Sequence, residues 1–260
     1  EATSQKVCFE KTIATPDHYE GLCKAIIAMV KEIDSAFYPF TIGIAHPGSC
    51  CPKTGKMRNS NRLWLNDKSF IADLEQALGQ SIRSSNDGNC FVLSEAMNGA
   101  AKDYKVVFGA TLGTGLGGGL VVDKKLNHGR NLIGAEWGHI AMPWVEAHEL
   151  PGPACYCGLH NCLESHLSGT GLARAYEQQF QKTASAKEIV ALYHQQDDQA
   201  IAIMDQYLHH VARAFAMVIN LIDPDAIVLG GGLSHFTPIY QKVPALWQKY
   251  LFCPSKVDTP

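Results

Sequence analysis

Three features of this chain predict an α/β fold built from two related halves. Apolar strand-like runs alternate with stretches of helical periodicity, the pattern that layers sheet against helix. The pattern restarts at Lys105–Leu112, an apolar strand that follows a helix closing the first series. Strand ends are marked by turn residues: His46-Pro47-Gly48, Asn86-Asp87-Gly88-Asn89, Gly113-Thr114-Gly115 and Gly230-Gly231-Gly232. The boundary falls near Asp103. It divides the chain into a smaller N-terminal α/β domain, 1–103, and a larger C-terminal α/β domain, 104–260, that carries a cysteine-rich loop.

Taken in order, Val7–Ile13 alternates like a strand until Ala14-Thr15-Pro16-Asp17 breaks it. A helix follows over His18–Asp34, with Leu22, Ile26, Ile27, Val30 and Ile33 on one side. Phe40–Ala45 is a short buried strand. The amide-rich run Arg58–Asn66 reads as a loop, Ser69–Leu78 as a helix and Ser81–Ser85 as a strand. Asn86-Asp87-Gly88-Asn89 ends that strand and starts a helix over Cys90–Lys102. In the second half, the strand Lys105–Leu112 runs into a glycine-rich stretch through Gly119 and a strand over Leu120–Asp123. Helices are predicted at Gly169–Phe180, Ala186–His194 and Ala200–Ile222, the last stopped by Asp223-Pro224-Asp225. A buried strand, Ala226–Leu229, meets Gly230-Gly231-Gly232 and a closing helix over Phe236–Tyr250.

Composition excludes several classes. With 260 residues, 46% of them hydrophobic, the chain has enough for one large core or two modest ones. A net charge of −3 and a pI near 6.4 give no electrostatic footprint for nucleic acid. No apolar run reaches membrane-spanning length, and Glu1–Lys6 does not resemble a signal peptide. Nine cysteines, an odd number, argue for a reducing cytoplasmic setting over a disulfide framework; Cys50 and Cys51 are adjacent and poorly placed to bridge each other.

The chemistry concentrates between Glu136 and Glu164. His139 precedes three thiols, Cys155, Cys157 and Cys162, in Cys-x-Cys-x4-Cys spacing. Three thiolates and an imidazole complete a tetrahedral shell with no position for a catalytic water, which suits structural zinc. The competing reading is ordinary reduced thiols in a turn. A metal here pins the loop and steadies Glu136 and Glu164, as a polyol site requires.

Elsewhere each candidate has two readings. Gly113, Gly115 and Gly117–Gly119, with Thr114, let backbone N–H groups approach phosphate, or form a glycine-rich hairpin. Gly230–Gly232 faces a nucleotide, or is a tight strand–helix turn, the reading it supports when taken alone. Asp87 is a helix cap, or a general base at the carboxyl edge of a sheet, with Asn86 and Asn89 beside it favouring the second. Asn59, Asn61 and Asn66 around Trp64 form a polyol clamp or a solvated loop around a buried aromatic. His46 is a satisfied turn histidine or a ligand contact. Trp137 and Trp144 are packing residues, and His209 and His210 are surface or boundary residues.

Together, E-W-G-H (136–139), C-Y-C-G-L-H-N-C-L-E (155–164), N-D-G-N (86–89), G-T-G-L-G-G-G (113–119) and D-P-D-A-I-V-L-G-G-G (223–232) resemble the ROK family of sugar kinases. The likeness spans nearly the whole chain. It implies a two-domain actin-like/hexokinase-like (ribonuclease H-like) ATPase fold with an interdomain cleft. It also implies ATP-dependent phosphorylation of a hexose 6-hydroxyl, with Asp87 as the base. Asn61, Asn86, Glu136, His139 and Glu164 would hold sugar hydroxyls. Gly113, Thr114 and Gly115 would take phosphates, and Gly230, Gly231 and Gly232 would lie by the adenosine. Mg²⁺ would bridge the phosphates, and His139, Cys155, Cys157 and Cys162 would hold structural Zn²⁺. The partners implied are a hexose and ATP, without nucleic acid or membrane, in a cytoplasmic homodimer.

R-N-S-N-R-L-W-L-N and E-W-G-H-I-A-M-P-W look most like the fructokinase/mannokinase branch, so fructose is the first expected sugar and mannose the second. N-acetylglucosamine kinase or another ROK hexokinase is the alternative. A sugar-sensing regulator or a pseudokinase is the alternative of a different class. The family's D-x-G-G-T-K phosphate loop and C-terminal helix do not occur in this sequence, which reads as truncated at both ends, and a protein without that loop is expected to bind ATP poorly. Two smaller departures stand out. His46 occupies the family's G-x-P-G turn and bears on sugar choice, and Gly88 stands where N-D-A-N has Ala.

Overall fold

The computed structural model describes residues 7–37, 39–253 and 255–260, with the backbone alone described over 34–37. Glu1–Lys6, read above as unlike a signal peptide, lies outside the described residues. The chain forms two compact units, Glu1–Asp87 and Gly88–Pro260.

In the first unit, helix α1 (Tyr19–Phe37) presents Leu22, Ile26, Ile27 and Val30 to a core of Ile42, Met57, Leu65, Phe70, Leu74 and Ile82. Strand β1 (Ile42–His46) is followed by a two-residue antiparallel pair, β2 (Ser49–Cys50) and β3 (Met57–Arg58). Helix α2 (Phe70–Leu78) ends at Gly79, whose left-handed backbone closes the last turn onto the Glu75 carbonyl. Strand β4 (Ile82–Asn86) pairs in parallel with β1, from Ile42 opposite Ile82 to His46 opposite Asn86. The strand expected at Val7–Ile13 does not form. The segment joins no ladder among the described residues, and Val7, Phe9 and Ile13 are exposed. Alternation supplies a face, but a strand also needs a partner.

Helix α3 (Asp87–Asn98) opens the second unit and starts three residues earlier than its pattern suggests. It stops at Asn98-Gly99 rather than Lys102, because the N–H groups of Gly99 and Ala101 both turn back to the Glu95 carbonyl. Val92 and Ala96 of α3 are fully buried with Val107, Val121 and Val228. That packing ties α3 to the second unit and places the division at Asp87, ahead of the Asp103 read from the sequence.

The central sheet runs β7-β6-β5-β8. Strands β5 (Val106–Leu112), β6 (Leu116–Val122) and β7 (Lys125–Leu126) form an antiparallel meander, and β8 (Ala226–Gly230) lies parallel to β5. Side chains on β5 alternate between two cores. Val107 joins the α3 cluster, whereas Phe108, Ala110 and Leu112 join a larger cluster. One turn of helix, α4 (Glu164–Leu167), leads through the cap Ser168 into α5 (Gly169–Phe180). α6 (Ala186–His194) starts at a capping box of Ser185 and Glu188. The long α7 (Asp198–Ile222) starts at the cap Asp197 and contributes Tyr207, Leu208, Val211 and Phe215 to the larger core. The closing helix breaks in two, α8 (Pro238–Leu246) and a 3-10 turn (Trp247–Tyr250). Pro238 fits the first helical turn and sets the late start.

Candidate functional site

In the first unit, the carboxyl ends of β1 and β4 bring His46 and Asn86 opposite each other. The Asn86 amide donates to the Gly48 carbonyl at 3.2 Å, fixing the turn after β1. Gly48 has φ +71°, and a side chain there would collide with the Arg58 carbonyl and the Ser60 N–H of the next loop. His46 is buried, with Nδ1 3.2 Å from the Pro47 carbonyl. Burial pulls its pKa down against the opposing charge of Asp87, which keeps the ring neutral at pH 7. Asp87 follows Asn86 directly as an exposed residue in the first turn of α3, where a carboxylate suits the helix dipole. It is the first helical residue, not a cap preceding the helix.

The three asparagines around Trp64 separate into different roles. Asn66 closes the loop on itself, accepting from the Ser60 N–H at 2.9 Å and donating to the Ser60 carbonyl at 3.2 Å. Asn59 takes a positive φ of 58°, a turn position that asparagine tolerates. Asn61 is exposed at the tip. Trp64 packs against the first unit's core, as the plainer reading expects.

In the second unit, the glycine-rich stretch is shorter as a loop than it looks. Gly117, Gly118 and Gly119 lie inside β6, opposite Thr111, Ala110 and Gly109, so these three glycines belong to the hairpin rather than to a phosphate loop. They are glycines because neighbours crowd them. A Cβ on Gly118 would come within 2.8 Å of Trp137, and one on Gly119 would collide with Val92. Gly113-Thr114-Gly115 remains as the turn. Its ends are fixed by Gly113 N–H to the Gly115 carbonyl at 3.1 Å and Gly169 N–H to the Gly113 carbonyl at 2.7 Å. Gly231, at φ +83°, presses on this turn: an added Cβ would sit 2.6 Å from Leu112 and 2.9 Å from the Gly113 nitrogen. The two glycine segments therefore share the carboxyl edge of β5 and β8, where Thr111 pairs with Gly230 and where open α/β sheets place ligands. The Glu164 carboxylate joins them by accepting from the Leu116 N–H at 3.1 Å.

His139, Cys155, Cys157 and Cys162 converge, with one ligand atom from each within 4.8 Å of all the others. His139 Nδ1 is 3.5 Å from Cys155 Sγ, and Cys157 Sγ is 3.6 Å from Cys162 Sγ. Tetrahedral zinc at about 2.3 Å from each sulfur separates them by about 3.8 Å, so the set fits. Burial, and then hydrogen bonds from Cys157 and Cys155, push the Cys162 thiol up to about 12, crowding that a soft dication relieves. Short backbone bridges, Ala141 to Cys162 and Ala154 to His160, hold the ligand segments together.

A polar network fastens this loop to α7. Glu149 receives Arg213 at 2.8 and 2.5 Å and His210 at 3.0 Å, while Arg213 also donates to the Trp144 carbonyl at 2.8 Å. His166 meets Asn161, the residue before Cys162, at 2.6 Å. Burial drops both His166 and His210 to about 4. His210 is therefore not the surface or boundary residue the sequence suggested, although His209 is exposed. Tyr156, Glu149, His166 and Arg213 were missed. The available signal was Arg213 on the apolar face of α7, since a charge there demands a partner. Trp137 packs as expected: it stacks on Phe215 at 5.6 Å and donates to the Gly117 carbonyl at 2.9 Å.

A family profile described as the ROK family matches residues 2–259. The chain belongs to the ROK family. Among curated relatives, an N-acetyl-D-glucosamine kinase of Shigella flexneri serotype 5b is 38% identical over 244 residues, 91% of this chain and 80% of its own length. Among solved structures, a ROK hexokinase from Thermus thermophilus superposes with a TM-score of 0.78 at 27% identity, covering 92% of this chain and 79% of that one. A ROK glucokinase from Streptomyces griseus, in complex with glucose and AMPPNP, gives 0.74 at 26%, covering 91% and 81%. The fold is thus the hexokinase-like α/β ATPase fold expected from the motifs. No described helix is long and apolar enough to cross a membrane.

Proposed function

We propose that this ROK protein is an ATP-dependent sugar kinase that phosphorylates the 6-hydroxyl of N-acetyl-D-glucosamine. The observation that carries the sugar assignment is the 38% identity, over 91% of the chain, to a curated N-acetyl-D-glucosamine kinase. Fructose, expected first from the loop motifs, has no comparable support among these relatives, and the alternative branch takes its place.

Asp87 accepts the proton of the 6-hydroxyl. The alkoxide oxygen bonds to the γ-phosphorus of ATP as the bond to the β–γ bridging oxygen breaks, and ADP leaves with that electron pair. Asn61, Asn86, Glu136, His139 and Glu164 orient the sugar through its hydroxyls. Gly113, Thr114 and Gly115 hold phosphate oxygens, and Gly230–Gly232 lie by the adenosine. The junction of the two glycine segments at one sheet edge supports these roles. Mg²⁺, when bound, neutralises charge on the phosphates. His139, Cys155, Cys157 and Cys162 hold zinc, which fixes the loop ahead of Glu164.

ADP release from the purified protein, with N-acetylglucosamine, glucose, mannose and fructose as acceptors, tests this reading. N-acetylglucosamine is expected to give the highest kcat/KM. Asp87→Asn is expected to lower kcat by about 10²–10⁴ with sugar binding retained. Preferred turnover of fructose would restore the fructokinase reading. Sugar binding without turnover would make the protein a sensor.

A further inference from the structure

Tyr156 lies between two of the zinc-loop cysteines, yet the residue is 59% exposed. Its hydroxyl is 3.0 Å from His139 Nε2, and the rings meet edge-on at 5.1 Å and 90°. Glu136 lies three residues before His139 and Glu164 two residues after Cys162, on segments held side by side by the Ala141–Cys162 bridge and by the Leu163 N–H bonding the Ile140 carbonyl at 2.8 Å. Glu136, His139, Tyr156 and Glu164 thus form one constellation within the second unit.

The hydrogen-bonding inventory of that constellation is uneven. The carboxylates of Glu136 and Glu164 are acceptors, which suits sugar hydroxyls, and Glu164 already accepts from Leu116. His139 turns Nδ1 toward Cys155, and a ring whose Nδ1 serves a metal carries its proton on Nε2. That proton is directed at the Tyr156 oxygen in the sugar-free protein, and bound sugar shares it, so that His139 serves a sugar hydroxyl and Tyr156 at once. The phenol keeps its own O–H to donate elsewhere. Tyr156 therefore offers what the carboxylates lack: a donor for a carbonyl oxygen beside an exposed apolar ring face.

We propose that Tyr156 recognises the 2-acetamido group of the sugar, its O–H donating to the acetyl oxygen and its ring covering the methyl. This rests on the kinase reading above and assigns the residue that separates an N-acetylhexosamine from a plain hexose.

Calorimetry without nucleotide tests it on the wild type and Tyr156→Phe, with N-acetylglucosamine, its N-thioacetyl analogue and glucose, and with zinc content measured for both proteins. The expected result is a roughly tenfold weaker Kd for N-acetylglucosamine in Tyr156→Phe, a change under about twofold for glucose, and equal zinc content. The thioacetyl analogue, a poorer acceptor, is expected to bind the wild type more weakly than N-acetylglucosamine and to lose that difference in the variant. Equal weakening toward both sugars, or loss of zinc, would make Tyr156 a prop for His139 and overturn the proposal. An unchanged Kd would overturn it as well. A wild type that binds glucose or fructose but not N-acetylglucosamine would overturn the sugar assignment instead.

Discussion

Glu149 and Arg213 show how much of the cysteine-rich loop rests on residues outside its His and Cys set. Arg213 reaches both carboxylate oxygens of Glu149 and the carbonyl of Trp144, which anchors the segment between His139 and Cys155 onto α7. The side chains are 5% and 10% exposed, so removing one partner strands a buried charge. Arg213→Met is expected to cost about 3–5 kcal/mol, read as a lower urea midpoint at unchanged m value. Pairing it with Glu149→Leu should recover much of that loss, since the stranded charge goes too. Loss without recovery would mean that the pair acts through shape, not charge. At this scale the sequence spoke unevenly. The convergence of His139 with the three cysteines was legible because so few residue types can offer a metal a ligand atom, and a cluster of them stands out in the chain. Glu149 was not, because a partner 64 positions from Arg213 has no local signature.

Among the elements, the β5–β6 hairpin is where local sequence misled most. A run of glycines after a strand suggests a phosphate loop, but only Gly113 and Gly115 serve the turn, and Gly117–Gly119 are strand residues. Their reason lies in α3 and Trp137, distant in sequence. Gly109 and Gly119 sit opposite each other across the ladder, and both face Val92. A Cβ on Gly109 would come within 2.6 Å of Val92 Cβ. Gly119→Ala is therefore expected to destabilise by about 1–3 kcal/mol through overpacking. Val92→Ala makes room, so the double variant should be less destabilised than the sum of the two changes, a coupling that a double-mutant cycle in urea measures. Strict additivity would show that the sheet relaxes away from α3. Helices read more faithfully: α5 and α6 match their predicted spans, because caps such as Ser185 with Glu188 are written locally. Val7–Ile13 and the late start of α8 were not legible, since one depends on a missing ladder partner and the other on where Pro238 can sit.

For the whole molecule, the buried histidines set how stability follows pH. His166 and His210 are held at about 4, chiefly by burial, against 6.5 for a free imidazole. The rings are 4.8 Å apart and repel each other's charge at His166; Arg213 opposes protonation of both, His209 opposes that of His210, and Glu149 favours both. His46, lowered by burial and favoured by Asp87, adds to the effect in the first unit. The sign follows. Between pH 6.5 and 4 the unfolded chain binds protons that the folded chain refuses, so unfolding becomes easier as pH falls. The stability these groups lend is complete above the unfolded value. Each such proton contributes about 1.4 kcal/mol per pH unit. Glu149, held far below the usual carboxylate range by Arg213, acts in a lower window: its contribution is present above the ordinary carboxylate pKa and fades as pH drops beneath it. Urea midpoints are therefore expected to fall between pH 6.5 and 5, before most carboxylates titrate. In His210→Gln the slope over that interval should ease by about one proton, with His166 still titrating. A slope identical in wild type and variant would mean that His210 is charged in the folded protein, paired as an imidazolium with Glu149. In that case the network would strengthen, not loosen, as the solution turns mildly acidic.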